Sequence, residues 1–161
     1  MQELRAEYEA GRDAVIGYLE PRAYDDTQAQ ARGLPRLRPR RVPYKNMVLE
    51  ELDLPALLAR RPEVALIDEL SHTNTPGVEH GKRYEDVDDA LAAGIDVYST
   101  VNVQYLESLN DPAAELRGAR PRETLPDRVL LAADDVVIVD LTPPALIERL
   151  RALRIYRPER A

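Results

Sequence analysis

The apolar run Val64-Ala65-Leu66-Ile67, closed by Asp68 and Glu69, constrains the fold more than any other stretch of this sequence. A run this short is too brief for a helix, and it predicts a strand that is buried on both faces. Such strands are typical of parallel sheets covered by helices, in which ligands bind at the carboxyl ends of the strands. Because two unpaired carboxylates are costly to bury, the pair predicts either a cation-facing site or a strand end that returns to solvent.

Predicted helices and strands alternate along the whole chain. The predicted helices are 1–10, 25–32, 54–60, 85–93, 105–109, 126–133 and 143–152, and the predicted strands are 14–19, 42–44, 64–68, 95–100 and 136–139. This order predicts an α/β fold with a mostly parallel sheet and helices on both faces. The chain of 161 residues is long enough for one domain, 1–161. Prolines in 33–41 indicate an exposed basic loop, and the polar segment 71–83 indicates a long functional loop.

Composition argues against several classes of protein. No apolar run approaches the roughly 20 residues of a membrane-spanning helix, and the first residues are too charged for a signal peptide. The absence of cysteine rules out disulfides and thiolate metal sites and fits a cytoplasmic protein. A net charge of −7 argues against nucleic acid as a partner. We therefore expect a cytoplasmic chain without a membrane span of its own.

Three predicted strand ends place polar side chains at one edge of the sheet. Asp68 and Glu69 follow one strand, Thr100 and Asn102 follow the next, and Asp140 follows the last. The loop 71–83 adds His72, Asn74, His80, Lys82 and Arg83. Acids for a metal, hydroxyls and amides for water or phosphate, and cations for phosphate oxygens are the parts that phosphoryl chemistry uses.

This pattern predicts a role for each candidate residue. Asp68 is the predicted magnesium ligand, and Glu69 is the predicted acid that orients a water molecule. The residues predicted to contact the cofactor are Thr100, Asn102, Asn74, Lys82 and Arg83. Structural explanations also stand, since Thr100 and Asn102 can cap a turn, and Lys82 and Arg83 can be solvated surface cations. Two weakly spaced histidines do not predict a zinc site.

One part of a nucleotide hydrolase does not occur in these 161 residues. No Gly-x-x-x-x-Gly-Lys-Ser/Thr segment is present, and that loop supplies the amide hydrogens that surround a β-phosphate. A complete hydrolase is therefore not predicted from these residues alone.

Several long stretches resemble one known family. They are Asp68–Gly77, Lys82–Val87, Leu91–Asn110 and Arg122–Asp127, within a likeness that runs from about Gly11 onward. These stretches resemble the amino-terminal cytoplasmic domain of the KdpD family, the osmosensitive, potassium-responsive sensor histidine kinases.

The resemblance implies a P-loop-NTPase-like domain that binds ATP with Mg²⁺ in a regulatory role. By this likeness Asp68 corresponds to the Walker B magnesium aspartate, and Glu69 corresponds to the acid beside it. The family context implies two-component signalling in potassium uptake, with the remaining domains of the kinase and a response regulator as partners. It also implies a cytoplasmic location as part of an inner-membrane sensor kinase.

This sequence departs from the family at its amino terminus and at two aromatic positions. The family's first strand and Walker A loop would precede the first helix, which here begins at Met1, so we expect a sheet that lacks them. An uncovered strand edge favours self-association, and a homodimer is one expected consequence. Tyr84 stands where the family has tryptophan, and Tyr105 where it has histidine.

The resemblance implies the regulatory input domain of a potassium and osmotic-stress sensor histidine kinase, with an incomplete nucleotide pocket and no kinase core in these residues. Two alternatives stay open at this point. One is a non-catalytic docking module, in which the basic loop 36–41 with Arg38, Arg40 and Arg41 binds an acidic partner or a membrane surface. The other is a metal-dependent phosphohydrolase centred on Asp68 and Glu69.

Overall fold

A three-stranded parallel sheet organises the structure, a computed structural model that describes residues 1–20, 25–109 and 123–139. The helices are α1 (Gln2–Glu9), α2 (Asp25–Ala31), α3 (Leu54–Arg60), α4 (Arg83–Ala92) and α5 (Asp127–Leu131). The strands are β1 (Ala14–Tyr18), β2 (Arg40–Tyr44), β3 (Met47–Glu51), β4 (Val64–Ile67) and β5 (Asp96–Ser99). Short 3-10 turns span Val103–Tyr105 and Glu107–Leu109, where the sequence predicted a helix.

The sheet has the order β1-β4-β5, and both pairings are parallel. Every residue of β1 and β4 is buried, as their apolar runs predicted, whereas β5 is partly exposed. The outer edge of β1 is covered by Pro35–Leu37, because the Ile16 amide donates to Pro35 O and the Leu37 amide donates to Ile16 O, both at 2.9 Å. The predicted irregular loop 33–41 is therefore partly paired with the sheet.

Alternating side chains of β1 and β4 divide the core into two layers. Val15, Ala65 and Ile67 face α3 and α4, and they pack with Leu54, Leu57, Val87 and Ala90. Ala14, Ile16, Val64 and Leu66 point to the opposite face, and they pack with Leu4 of α1 and Ala31 of α2. Burying each such large aliphatic side chain contributes about 1.5–3 kcal/mol. The predicted α/β architecture with helices on both faces is confirmed.

The strands β2 and β3 form an antiparallel hairpin beside this sheet. Its two-residue turn, Lys45 and Asn46, includes a left-handed residue, Lys45, with φ of 53°. The sequence predicted part of β2 but missed β3, in which the apolar Met47 and Val48 are exposed whereas Glu51 is buried. Glu51, at the end of β3, is the buried charge that links the hairpin to the rest of the structure.

The carboxyl-terminal part of the chain differs from the prediction. The chain divides into two units, Met1–Val129 and Leu130–Ala161. In the second unit, the predicted strand 136–139 is wrong: these residues pair with no strand in the described ranges, and their side chains are 51–83% exposed. A strand needs a neighbour's backbone for stability, and an apolar pattern does not supply one. The predicted helix 143–152 and Asp140 lie outside the described residues, and the prediction of one domain stays a prediction.

α4 begins two residues earlier than predicted, at Arg83, and the Glu85 carboxylate accepts a hydrogen bond from the Lys82 amide at 2.9 Å in its first turn. α3 has the predicted bounds, and Asp53 Oδ1 accepts a hydrogen bond from the Ala56 amide at 3.1 Å at its amino end. No helix among the described residues is both long and apolar enough to span a membrane.

Candidate functional site

The carboxyl ends of β4 and β5 bring three of the predicted site residues into direct contact. Thr100 Oγ1 donates a hydrogen bond to Asp68 Oδ1, and it accepts one from the Glu69 amide at 3.3 Å. The Leu70 amide then donates to Thr100 O at 2.9 Å, which continues the pairing beyond the strands. Asp68, Glu69 and Thr100 therefore form one cluster, which we call the acid edge.

The end of β1 adds a third acid, Glu20, to the acid edge. The Glu20 amide donates to Asp68 Oδ2 at 3.3 Å, and the Asp68 amide donates to Tyr18 O at 3.1 Å. The pairing of β1 with β4 shifts register at Gly17, where a Cβ atom would lie 3.3 Å from Leu66 O. Both oxygens of the Asp68 carboxylate thus accept a hydrogen bond, one from each neighbouring strand end.

Glu69 has a backbone conformation that is uncommon for a residue with a side chain. Its φ is 60°, in the left-handed region, and such positions cluster at functional sites. The side chain is 43% exposed, and its Oε2 lies 3.8 Å from His72 Nδ1. Burial raises the pKa of Glu69, the charge of Glu20 adds to this effect, and His72 opposes it. A carboxylate with a raised pKa is better suited to accept a proton from water.

Arg83 lies behind the acid edge with no exposed side-chain surface. Its Nη2 donates to Glu51 Oε2 at 2.7 Å, and its Nε donates to Asn74 Oδ1 at 3.1 Å. Its Nη1 donates to the main-chain oxygen of Asp68 at 3.4 Å, and its guanidinium lies 4.1 Å from the centre of the Tyr18 ring. Arg83 and Asn74, both predicted to contact a cofactor, are therefore parts of a buried network.

Two acids in this network differ in how they respond to burial. Glu51 Oε1 accepts from the Thr75 amide at 2.9 Å and hydroxyl at 2.6 Å, and it lies 3.3 Å from His72 Nε2. Burial alone would raise the pKa of Glu51, but these contacts with His72 and Thr75 hold it at about 2. Burial raises the pKa of Asp86 to about 6, although Asn74 and Arg83 act in the opposite direction. Glu51 is therefore the ionised partner of Arg83.

The other predicted residues make contacts of their own. Asn102 Oδ1 accepts from the Gln104 amide at 3.3 Å and so caps the first 3-10 turn. Lys82 Nζ donates to Thr73 Oγ1 at 2.7 Å, and His80 Nε2 lies 2.8 Å from Asp89 Oδ2. In the basic segment, Arg40 pairs with Glu79 at 2.6 Å, and docking by this segment stays a prediction.

A metal ion would need further ligands at this edge of the sheet. Within residues 1–20, 25–109 and 123–139, no three His, Asp or Glu side chains are arranged to hold a metal ion. A Mg²⁺ ion commonly uses one or two carboxylates and completes its shell with phosphate oxygens and water. The acid edge therefore fits a metal that arrives with a phosphate ligand.

A parallel sheet between helices, with an Asp-Glu pair at its carboxyl edge, defines an α/β domain, and this architecture is consistent with a P-loop-like fold. The sequence profile of one family, KdpD, described as the osmosensitive K⁺ channel His kinase sensor domain, matches residues 1–161. The chain belongs to this family, and the resemblance drawn from its motifs is confirmed.

Individual relatives agree with this assignment. A putative sensor protein KdpD from Synechocystis sp. (strain PCC 6803) is 49% identical over 159 residues, which are 99% of this chain and 42% of that protein. The sensor protein KdpD of Escherichia coli K12 is 48% identical over 155 residues, 96% of this chain and 17% of that protein. That of Clostridium acetobutylicum is 45% identical over 151 residues, 94% of this chain and 17% of that protein. The chain thus spans less than half the length of these relatives.

Proposed function

We propose that this chain is the cytoplasmic regulatory input domain of a potassium and osmotic-stress sensor histidine kinase, and that its acid edge is the magnesium-facing part of a nucleotide pocket. The family assignment and the printed names of the relatives support the signalling role. The remaining domains of the kinase and its response regulator are the proposed partners, and an inner-membrane kinase is the proposed setting.

The position of Asp68 carries the nucleotide part of this proposal. The Asp68 carboxylate accepts hydrogen bonds from the Thr100 hydroxyl on one side and from the Glu20 amide on the other. These two bonds fix the orientation of the carboxylate before any ligand binds. Carboxylate and hydroxyl oxygens are hard ligands of the type that Mg²⁺ prefers. Bound Mg²⁺ would neutralise phosphate charge, Asp68 would hold the ion, and Glu69 would orient water beside it.

A regulatory role requires that the ligand distinguish between two conformations of the domain. A nucleotide shifts such an equilibrium only by the difference between its affinities for the two states. The acid edge offers a route for this difference, because Asp68 contacts the residues that follow β1 and β5 directly and the Arg83 network through its main chain. A ligand that binds at Asp68 would therefore affect the ends of both strands and the Arg83 network.

Calorimetric titration with Mg²⁺-ATP tests the proposal. It is carried out on the chain itself and on a version extended at its amino terminus by a Gly-x-x-x-x-Gly-Lys-Ser segment, since the 161 residues contain none. We expect tighter binding by the extended version, and a loss of about tenfold or more on Asp68→Asn, since charged hydrogen-bonding groups contribute about 1.5–3 kcal/mol.

The matched control is Asp88→Asn, which removes a half-exposed carboxylate from α4 and should leave the affinity unchanged. Absence of Mg²⁺-dependent binding by both versions would contradict the nucleotide proposal. Equal affinities of the Asp68→Asn and unmodified proteins would contradict the role of Asp68. Phosphate release that is lost on Glu69→Gln would favour the phosphohydrolase alternative instead.

A further inference from the structure

We propose that Arg83 is a positioning residue, which fixes the strand end carrying Asp68 and Glu69 from inside the core. This inference rests on the proposed function of the acid edge. It replaces the expectation that Arg83 contacts a phosphate with a role exerted through the Asp68 main chain.

The contacts of Arg83 leave it poorly placed to reach a ligand. Its side chain has no exposed surface, and each of its three nitrogens donates to a protein oxygen: Glu51, Asn74 and the main chain of Asp68. Turning the guanidinium toward the acid edge would deprive the buried Glu51 carboxylate of its arginine partner at Oε2, which is strongly unfavourable. Arg83 therefore exerts its effect from its buried position and not by contacting a ligand.

Arg83 holds the turn after β4 at two points. Its Nη1 donates to Asp68 O, and its own amide donates to His72 O at 3.0 Å. Between these points the His72 amide donates to Glu69 O at 2.9 Å, which closes the tight turn that contains the left-handed Glu69. The first residue of α4 is thereby attached to both ends of the turn that presents the two acids.

Tyr18 completes the support of Asp68. The Tyr18 ring lies against the Arg83 guanidinium, and the Tyr18 main-chain oxygen accepts from the Asp68 amide. The two peptide groups that flank the Asp68 side chain are thus held by β1 on one side and by Arg83 on the other. The contacts with β1 and with Arg83 together fix the position of the Asp68 carboxylate.

An arginine is required for this role. The planar guanidinium reaches three acceptors at fixed angles, whereas an ammonium is a compact point charge. Arg83→Lys can keep the ion pair with Glu51, but it cannot also span Asn74 and Asp68 O. The variant therefore separates charge from geometry.

The test compares Arg83→Lys with Arg60→Lys, a matched change in an exposed ion pair with Asp13, ahead of the amino end of β1. Mn²⁺ is titrated into each protein in the presence of ATP, and paramagnetic broadening of the Asp68, Glu69 and Thr100 amide signals gives the affinity at the acid edge. The three-bond HN–Hα coupling of Glu69 reports its φ. Leu4→Ala, a core change on the opposite face of the sheet, controls for loss of stability.

We expect Arg83→Lys to weaken Mn²⁺ binding about tenfold, the effect of about one to two hydrogen bonds, and to change the Glu69 coupling. Arg60→Lys and Leu4→Ala should leave both unchanged. If Arg83→Lys keeps the coupling and the affinity of the unmodified chain, the inference is overturned while the proposed function stands. If the coupling changes but Mn²⁺ with ATP broadens none of the three signals even in the unmodified chain, the proposed function fails while the positioning role stands.

A measurement on the unmodified chain covers the case in which Arg83→Lys does not fold. The buried Nε–H of Arg83 donates to Asn74, so it should give a resolved, slowly exchanging signal. This signal should move when Mg²⁺ with ATP moves the Asp68 amide signal. A static Arg83 signal during that titration would overturn the inference.

Discussion

Asp86 is a carboxylate that is only 3% exposed, and its replacement by asparagine should stabilise the protein at neutral pH. Burial raises its pKa from an ordinary 3.8 to about 6. The folded state therefore binds this proton more tightly than the unfolded chain does. The stability that the proton confers is complete below about pH 3.8, and it is lost as the pH rises through 6.

The size of the effect follows from these two pKa values. At about 1.36 kcal/mol per pH unit, they correspond to about 3 kcal/mol in total, of which about 2–3 kcal/mol falls between pH 4 and 7. The amide introduced by Asp86→Asn would not titrate, and its oxygen can still accept the hydrogen bond that Asn74 Nδ2 donates at 2.7 Å. We therefore expect the stability of Asp86→Asn, relative to the unmodified chain, to rise by about 2–3 kcal/mol over this range.

Urea unfolding followed by circular dichroism at several pH values measures this difference directly. The control is Asp88→Asn on the same helix, which removes a half-exposed carboxylate. A constant difference for Asp86→Asn between pH 4 and 7 would refute the reasoning. It would mean that Arg83, whose Nε lies 3.6 Å from Asp86 Oδ2, fully compensates the buried charge.

Three further substitutions test other parts of the structure by urea unfolding. Glu51→Gln should lower the free energy of unfolding by about 3–5 kcal/mol, far more than the change Glu50→Gln at an exposed position. The difference between the two losses should shrink as the pH falls from 4.5 through 2, because the Glu51 carboxylate becomes protonated. Equal losses for the two variants would exclude a buried ion pair. Glu69→Gly should raise the free energy of unfolding by about 1 kcal/mol, because glycine adopts the left-handed backbone conformation without strain, and Lys45→Gly in the hairpin should do the same. A loss of stability in Glu69→Gly but not in Lys45→Gly would indicate that the Glu69 carboxylate stabilises the fold. Gly17→Ala should lower the free energy of unfolding by about 1–3 kcal/mol, because the new Cβ would lie 3.3 Å from Leu66 O. The control is Gly81→Ala, whose new Cβ would lie 3.9 Å from its nearest atom. Similar losses at both positions would contradict the close packing at Gly17.

The sequence predicted the parallel sheet and the contact of Asp68 with Thr100 for a clear physical reason. Strands that are buried on both faces must be apolar throughout, so β1 and β4 are visible as runs. Parallel strands end at one edge, so Asp68 and Thr100 could be expected to meet there. These features depend on local pattern and on the direction of the strands, both of which can be read along the chain.

Arg83 shows what the sequence could not supply. Its burial depends on Glu51, which lies 32 residues away at the end of a strand with few buried side chains. Charged residues are rarely buried unless they are paired, and a pairing over that distance leaves no periodic signal. The predicted strand 136–139 is wrong for the converse reason, since its apolar pattern is strong but a pattern supplies no neighbouring strand.

Anomalous diffraction from crystals of the chain grown with Mn²⁺ and ATP tests the central claim most directly, because it locates the metal without reference to affinity. We expect a manganese peak about 2 Å from an Asp68 carboxylate oxygen, with a phosphate oxygen completing the shell and Glu69 beside it. A metal and nucleotide bound away from the ends of β4 and β5, with Asp68 still joined only to Thr100 and Glu20, would contradict it.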